Sequence, residues 1–384
     1  MAKKRKIRIM LAGGGSAGHL NPLLAVYSAI KEIKEEKSLK IKVTYIGNPG
    51  RYAKKFKEEG IPVKTILPSK LRRYFSFKNL FEFPKFFVSF LQSLWHIFWE
   101  MPDILMSKGG PGSLAPVIAA RFFFIPVVIH ESDAIPSITT KISSFFSKKI
   151  FLSFEDAKKE LSSSKQKRCE FVGNPLRKSL LENLPEKREA KIKLGFNPDK
   201  LLMVIMGGSQ GSQRINNLIT ASLLDLLKLD VQVFHQTGVN LFNEVSGVVG
   251  HYFDSLEEMK ESGYRITDFF DNNIKNVLAA ADIIVSRAGS SIFEFAALGK
   301  PSILIPLPES AQNHQLKNAL SYERSGSCIV LEEDQISIPL FVETVEHIIS
   351  EPGMLDRMSS AAREFSKPDA AIKIAEKLIK LANG

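Results

Sequence analysis

The sequence predicts two doubly wound α/β domains, each built on a parallel sheet and each opened by a glycine turn. Three observations carry this. Strand-like apolar runs alternate with amphipathic stretches along the whole chain. The first run, Ile7–Ala12, enters Gly13-Gly14-Gly15, and a later one, Leu201–Met206, enters Gly207-Gly208-Ser209-Gln210-Gly211. The length, 384 residues, exceeds what one hydrophobic core usually supports.

In the first half, Leu23, Val26, Ile30 and Ile33 recur at helical spacing from Pro22 onward, ahead of a second strand at Ile41–Ile46. Further strands are expected at Ile104–Met106, Val127–His130 and Lys149–Leu152. The pattern breaks at Gly173-Asn174-Pro175, and a charged, proline-containing stretch runs on to Lys200. That break divides the chain into an N-terminal domain, 1–173, and a C-terminal domain, 174–366, with the charge-rich residues 178–193 expected as a hinge. The second half repeats the scheme, with strands at Leu201–Met206, Val231–His235, Arg265–Phe269, Ile283–Ser286 and Ser302–Ile305. The last segment, 367–384, reads as a helix from Pro368 to Asn383, with Ala371, Ile374, Leu378 and Leu381 on one face. Either domain could receive that face.

Composition narrows the function classes. Apolar residues make up 44% of the chain and charged residues 24%, which excludes a disordered protein. Two distant cysteines, Cys169 and Cys328, match no metal spacing or redox pair and suit a reducing compartment. Basic residues Lys3–Lys6 precede an apolar run of only six residues, too short for the core of a signal peptide. No run of 18 apolar residues suggests a spanning helix, so a cytoplasmic location is expected. A net charge of +11 points to a polyanionic partner: nucleic acid, acidic lipid or phosphorylated substrates.

The glycine turns carry the chemistry. In Gly13-Gly14-Gly15-Ser16-Ala17-Gly18-His19, glycines between a strand and a helix let backbone N–H groups approach an anion at the positive helix end. Gly13, Gly15 and Gly18 satisfy the dinucleotide-binding spacing. A dinucleotide site also needs an acid after the next strand, and Thr44-Tyr45-Ile46-Gly47-Asn48 offers none, which disfavours a dehydrogenase. His19, at the helix start, is the candidate general base. At the second turn, Ser209 can donate a hydroxyl to a phosphate. Farther on, Ser286-Arg287-Ala288-Gly289-Ser290-Ser291 leads into a helix carrying Glu294, whose carboxylate can accept from two ribose hydroxyls.

Seven motifs in order then give a resemblance covering nearly the whole chain: GGGSAGHLNP (13–22), SKGG (107–110), HESD (130–133), VGNPLR (172–177), GGSQG (207–211), SRAGSSIFEF (286–295) and NHQLKNA (313–319). Together they resemble the MurG family of peptidoglycan glycosyltransferases. The resemblance implies a GT-B fold, with two Rossmann-like domains facing a cleft, the acceptor on the first and the donor on the second. It implies inverting transfer of N-acetylglucosamine (GlcNAc) from its uridine diphosphate (UDP) carrier to undecaprenyl-diphospho-muramoyl-pentapeptide, lipid I. It also implies that no metal or cofactor is required and that UDP-GlcNAc is the co-substrate. By resemblance, Ser209 and Arg177 fall where the donor diphosphate is held, Glu294 where the ribose is bound, and Phe270 where a backbone amide meets uracil. Gln315, with His314 beside it, falls where sugar hydroxyls are read. Ser290 and Ser291, together with Ser16, Ala17, Gly18 and Asp133 from the first domain, complete the donor set, and His19 falls at the base. Ala17, Asp133 and an Arg287-to-Glu294 interval one residue short depart from the family pattern. The terminal helix is expected to pack back on the first domain.

Between Lys64 and Lys85, basic residues are interleaved with aromatic ones. The run Lys70, Arg72, Arg73, Tyr74, Phe75, Phe77, Lys78 and Phe81 suits the cytoplasmic face of an anionic bilayer, with the protein held peripherally. Phe87, Phe90, Leu91 and Leu94 are expected in the core. Nucleic-acid binding would use similar residues, but no recognition helix, zinc spacing or RNA-binding signature accompanies them. A glycosyltransferase acting on diacylglycerol and a non-catalytic sugar-nucleotide or membrane-binding subunit are the alternative readings.

Overall fold

The first inner strand of each sheet in chain order is an almost continuous apolar run, as a strand covered on both faces requires. In the computed structural model, which describes residues 6–69, 78–110, 112–208, 210–270 and 273–383, these runs are β1 (Ile7–Ala12) and β8 (Leu201–Met206). Around β1 lie β2 (Ile41–Gly47), β3 (Val63–Thr65), β4 (Ile104–Ser107), β5 (Val127–Glu131), β6 (Lys149–Leu152) and β7 (Cys169–Phe171). Their order is β3-β2-β1-β4-β5-β6-β7, and every pairing is parallel. Around β8 lie β9 (Val231–Gln236), β10 (Tyr264–Thr267), β11 (Ile283–Ser286), β12 (Ser302–Leu304) and β13 (Cys328–Val330), in the parallel order β10-β9-β8-β11-β12-β13. Each sheet is thus the doubly wound sheet expected from the sequence. The order reverses between β1 and β4 and between β8 and β11, and ligands of open α/β sheets bind at such switch points.

The chain divides into two compact units. One comprises residues up to Lys178 together with those from Lys367 onward; the other is Ser179–Ser366. The division falls after Lys178, so Arg177, expected with the second domain, folds with the first unit. The expected hinge also takes a different form. Residues 187–193 make a helix whose Lys191, buried, pairs with buried Asp282 at 2.6 Å, while Lys187 pairs with the same carboxylate at 2.7 Å. These ion pairs and a buried Ala190 fasten the segment to the second unit.

The first unit receives the terminal helix, Ala370–Asn383. Its Ala371, Ile374, Ala375, Leu378 and Ile379 enter the core built by β1 and the helix Ala17–Glu36. That helix begins five residues ahead of the apolar repeat noted at Pro22, because Ser16 already has the extended backbone of a cap residue. Edge strands β3, β7 and β13 have three residues each, too few to show a period. The strand expected to reach Phe269 ends at Thr267, where Asp268 turns its carboxylate onto the Phe269 N–H at 2.7 Å. Both cysteines are free thiols.

Candidate active site

In the first unit the site forms where the loops after β1, β4 and β5 converge. Ser16 Oγ lies 3.0 Å from Nδ1 of His19, so the cap hydroxyl orients the imidazole instead of capping the helix. Gly110 crosses directly over this pair: with φ of +87°, a side chain there would clash with the Gly14 carbonyl and meet the His19 ring at 3.1 Å. Tyr45 donates its hydroxyl to the Gly13 carbonyl at 2.5 Å and anchors the turn from below.

Beside the turn lies a charged group not singled out by residue in the sequence reading. Lys108, 2% exposed, donates its backbone N–H to Ala12, and its Nζ makes no hydrogen bond among the described residues. Glu131, also buried, accepts from the backbone N–H groups of Ser132 (2.8 Å), Asp133 (3.1 Å) and Ser137 (3.0 Å), and so shapes the loop that carries Asp133. Burial pushes the Glu131 carboxyl up and Asp133 adds to this, while Lys108 opposes both. Burial pulls Lys108 down against the attraction of the two carboxylates. Burial also lowers His130 well below its usual range, helped by Lys108; its Nε2 faces the Gly173 carbonyl at 2.9 Å, so a structural role as a neutral ring follows. The legible signal for Lys108 and Glu131 was a charge set directly at the end of a buried strand. In the sequence both stand inside the SKGG and HESD motifs.

In the second unit the turn after β8 abuts the exit of β11: Ser286 Oγ donates to the Met206 carbonyl at 2.9 Å across the switch point. Ser209, the expected phosphate ligand, lies outside the described residues. Gly211, with φ of +80°, lies against the Thr237 carbonyl, closer than any side chain would permit. Ser212 then caps the 16-residue helix Gln213–Lys228 by accepting from Ile215, which sets the positive end of that helix behind the turn. Ser290 and Ser291, both half-buried, form the turn ahead of the short helix Ile292–Ala297, and half-buried Glu294 stands in its first turn.

Phe270, Gln315 and His314 are already engaged within this unit. The Phe270 ring is core, packed on Phe234 with centroids 4.6 Å apart, and its N–H donates to Oε1 of Gln236 at 3.3 Å. A base seeking that amide therefore competes with Gln236, a residue the sequence reading missed. Gln315 accepts the Leu307 N–H on its Oε1 at 3.0 Å, which turns the amide's donor end toward any hydroxyl it reads. His314 directs Nδ1 to the Ala311 carbonyl at 2.8 Å. Arg177, half-buried in the first unit, has its Nε buried without a partner among the described residues; burial lowers Lys55, and the nearby Arg177 charge adds to this.

The expected membrane patch, Lys70, Arg72, Arg73, Tyr74, Phe75 and Phe77, lies outside the described residues, and Lys78 and Phe81 fall in the first turn of the helix Lys78–Glu100. That helix corrects one expectation. Phe90 and Leu94 pack on the core, but Phe87 and Leu91 face solvent, in a stripe with Phe83, Trp95 (62% exposed), Phe98 and Trp99 (66%). Buried Ser89, Ser93 and Ile97 define the opposite face, so the i, i+4 repeat of aromatics runs along the outside. Phe122, Phe124 (83%) and Phe145 are exposed in the same unit. Among the described residues no helix is long and apolar enough to cross a membrane.

The fold has relatives among known proteins. Residues 9–152 match the glycosyltransferase family 28 N-terminal domain and residues 202–374 its C-terminal domain. A UDP-N-acetylglucosamine–N-acetylmuramyl-(pentapeptide) pyrophosphoryl-undecaprenol N-acetylglucosamine transferase of Bacillus cereus is 36% identical over 344 residues, covering 89% of this chain and 91% of that protein. A Staphylococcus carnosus protein of the same description is 35% identical and covers 96% of both chains. The crystal structure of Acinetobacter baumannii MurG, 20% identical, matches with a TM-score of 0.71 over 98% of this chain and all of that one, which establishes the shared GT-B fold. With both domain models matched in order and full-length relatives above one-third identity, the chain belongs to glycosyltransferase family 28, among its MurG N-acetylglucosamine transferases.

Proposed function

We propose that the protein transfers N-acetylglucosamine from UDP-GlcNAc to undecaprenyl-diphospho-muramoyl-pentapeptide, forming lipid II for peptidoglycan synthesis. The observation that carries this reading is the joined pair of loops at the second switch point, Gly207–Gly211 and Ser286–Ser291, in a chain 36% identical to a transferase of that description. A glycine turn on the positive end of a 16-residue helix suits the donor diphosphate, and Glu294 suits its ribose. Ser290, Ser291, His314 and Gln315 complete the donor set in this unit.

The chemistry follows from balance. The muramoyl hydroxyl forms the new bond to the anomeric carbon of GlcNAc as the bond from that carbon to the diphosphate breaks, with inversion. The hydroxyl proton passes to His19. When Nδ1–H of His19 donates to Ser16 Oγ, the basic lone pair lies on Nε2, which is the form a general base needs. The departing UDP gains negative charge, which backbone N–H groups of the Gly207–Gly211 turn and the helix dipole stabilise.

The acceptor is lipid-borne, and the exposed aromatic stripe from Phe83 to Trp99 supports a peripheral position on the cytoplasmic face of the membrane. The basic run from Lys70 to Lys78 adjoins the stripe in sequence and favours an anionic surface.

The test is transfer of radiolabelled GlcNAc from UDP-GlcNAc to a lipid I analogue, with diacylglycerol as control acceptor. Transfer to lipid I alone is the expected result. Transfer to diacylglycerol alone would reassign the acceptor, and none to either would return the protein to a binding role.

A further inference from the structure

The loop between β12 and the helix His314–Glu323 sets Gln315 in the first turn of that helix, and it holds a demanding conformation. Gln312 and Asn313 have φ of +61° and +52°, left-handed values that side chains other than glycine adopt at some cost. Within it, Ser310 N–H donates to the Leu307 carbonyl at 3.1 Å, Asn313 N–H to the Ser310 carbonyl at 2.9 Å, Gln315 N–H to the Ser310 hydroxyl at 3.3 Å and Leu307 N–H to the Gln315 side chain at 3.0 Å, while His314 Nδ1 faces the Ala311 carbonyl at 2.8 Å.

An ionic chain ties this loop to the turn after β8. Arg214, at the start of the helix Gln213–Lys228, donates to Glu309 in the loop at 2.7 Å and to buried Glu333. Glu333 also accepts from Arg287, whose remaining N–H groups reach the Ile305 carbonyl at 3.0 Å and the Ser212 hydroxyl at 2.6 Å. Ser212, Arg287, Glu333, Arg214 and Glu309 therefore form one connected series. Arg214 borders an open cavity of about 290 Å³, lined with Ile215, Leu218, Ile305 and Glu333 among others, so its two carboxylates set its position more than packing does.

We propose that Arg214 is a positioning residue for recognition of the donor's sugar: by bridging Glu309 and Glu333 it holds the loop that presents Gln315. Hydroxyl stereochemistry is then read against a fixed carboxamide, while the nucleotide is bound elsewhere in the unit. This rests on the reading of Gln315 as the sugar ligand. Lysine would not substitute fully, since one ammonium does not reproduce a planar fork that serves two carboxylates.

The experiment uses the full chain with Arg214→Met, Arg214→Lys, Glu309→Gln and Gln315→Ala. It measures kcat/KM for UDP-GlcNAc and for its 4-epimer UDP-N-acetylgalactosamine, UDP affinity by calorimetry, and thermal melting as a fold control. Arg214→Met is expected to lower the GlcNAc-over-GalNAc ratio about two- to fivefold, the scale of a half-exposed ion pair, with UDP affinity held within about twofold. Arg214→Lys should recover part of the ratio, and Glu309→Gln should reproduce the loss without touching Arg214. An unchanged ratio in Arg214→Met and Glu309→Gln, alongside a lowered one in Gln315→Ala, would overturn the proposal and keep the sugar-ligand reading. An unchanged ratio in Gln315→Ala would remove that reading itself. Loss of UDP affinity in step with the ratio would show that the series serves the phosphate turn generally, and it too would overturn the proposal.

Discussion

Nε2 of Gln236 donates to the Gly208 carbonyl at 2.9 Å. The same side chain accepts the Phe270 N–H on Oε1 at 3.3 Å, so one buried amide at the end of β9 spans the glycine turn after β8 and the loop expected to meet uracil. Gln236→Ala would leave both groups without this partner. The expected outcome is a stability loss of about 1–3 kcal/mol in urea unfolding, together with weaker UDP binding. Wild-type UDP affinity in the variant would detach Gln236 from the donor site.

His19→Ala is expected to reduce turnover about 10²- to 10⁴-fold, the usual contribution of a positioned general base, while UDP-GlcNAc affinity by calorimetry stays close to wild type. Ser16→Ala, which removes only the orienting hydroxyl at 3.0 Å, should cost less. Equal turnover in His19→Ala would move the base elsewhere.

Glu294→Ala should weaken donor binding. Charge-assisted hydrogen bonds to ribose hydroxyls are each worth about 1.5–3 kcal/mol, or roughly ten- to hundredfold in affinity. Calorimetric titration with UDP decides it, and an unaltered Kd would take Glu294 out of the site.

Lys108→Met removes the cation that opposes burial and Asp133 at Glu131. The Glu131 carboxyl, already raised, then rises further, so it takes up a proton at a higher pH than before. Ionised Glu131 is the form that accepts three backbone N–H groups and shapes the Asp133 loop. The acid limb of the transfer rate should therefore move to higher pH, and Glu131→Gln in the same background should abolish that movement. A pH–rate profile identical to wild type would separate Lys108 from the site.

Trp95→Ser, Trp99→Ser and Phe124→Ser combined should lower binding to anionic vesicles at least about tenfold, since one fully buried aromatic contributes about 1.5–3 kcal/mol. All three side chains are exposed, so the melting temperature should hold. Equal flotation with vesicles would rule out the stripe as the docking face.

What the sequence by itself determined is the doubly wound plan, the central strands, and the glycine turns with Ser16, His19 and Glu294 behind them. These are local features: an apolar run, a glycine that lets backbones approach, a cap, each written within a few adjacent residues. The tertiary structure alone decided which polar groups hold the loops to one another. Gln236 meets Gly208 across 28 residues, Arg287 meets Ser212 across 75 and Arg214 meets Glu309 across 95, separations with no period to read. Edge strands of three residues escaped for the same reason. The stripe on Lys78–Glu100 is the clearest instance: aromatics at i, i+4 mark one face of a helix, and only packing against the unit's core decides that Phe90 faces in and Phe87 faces out.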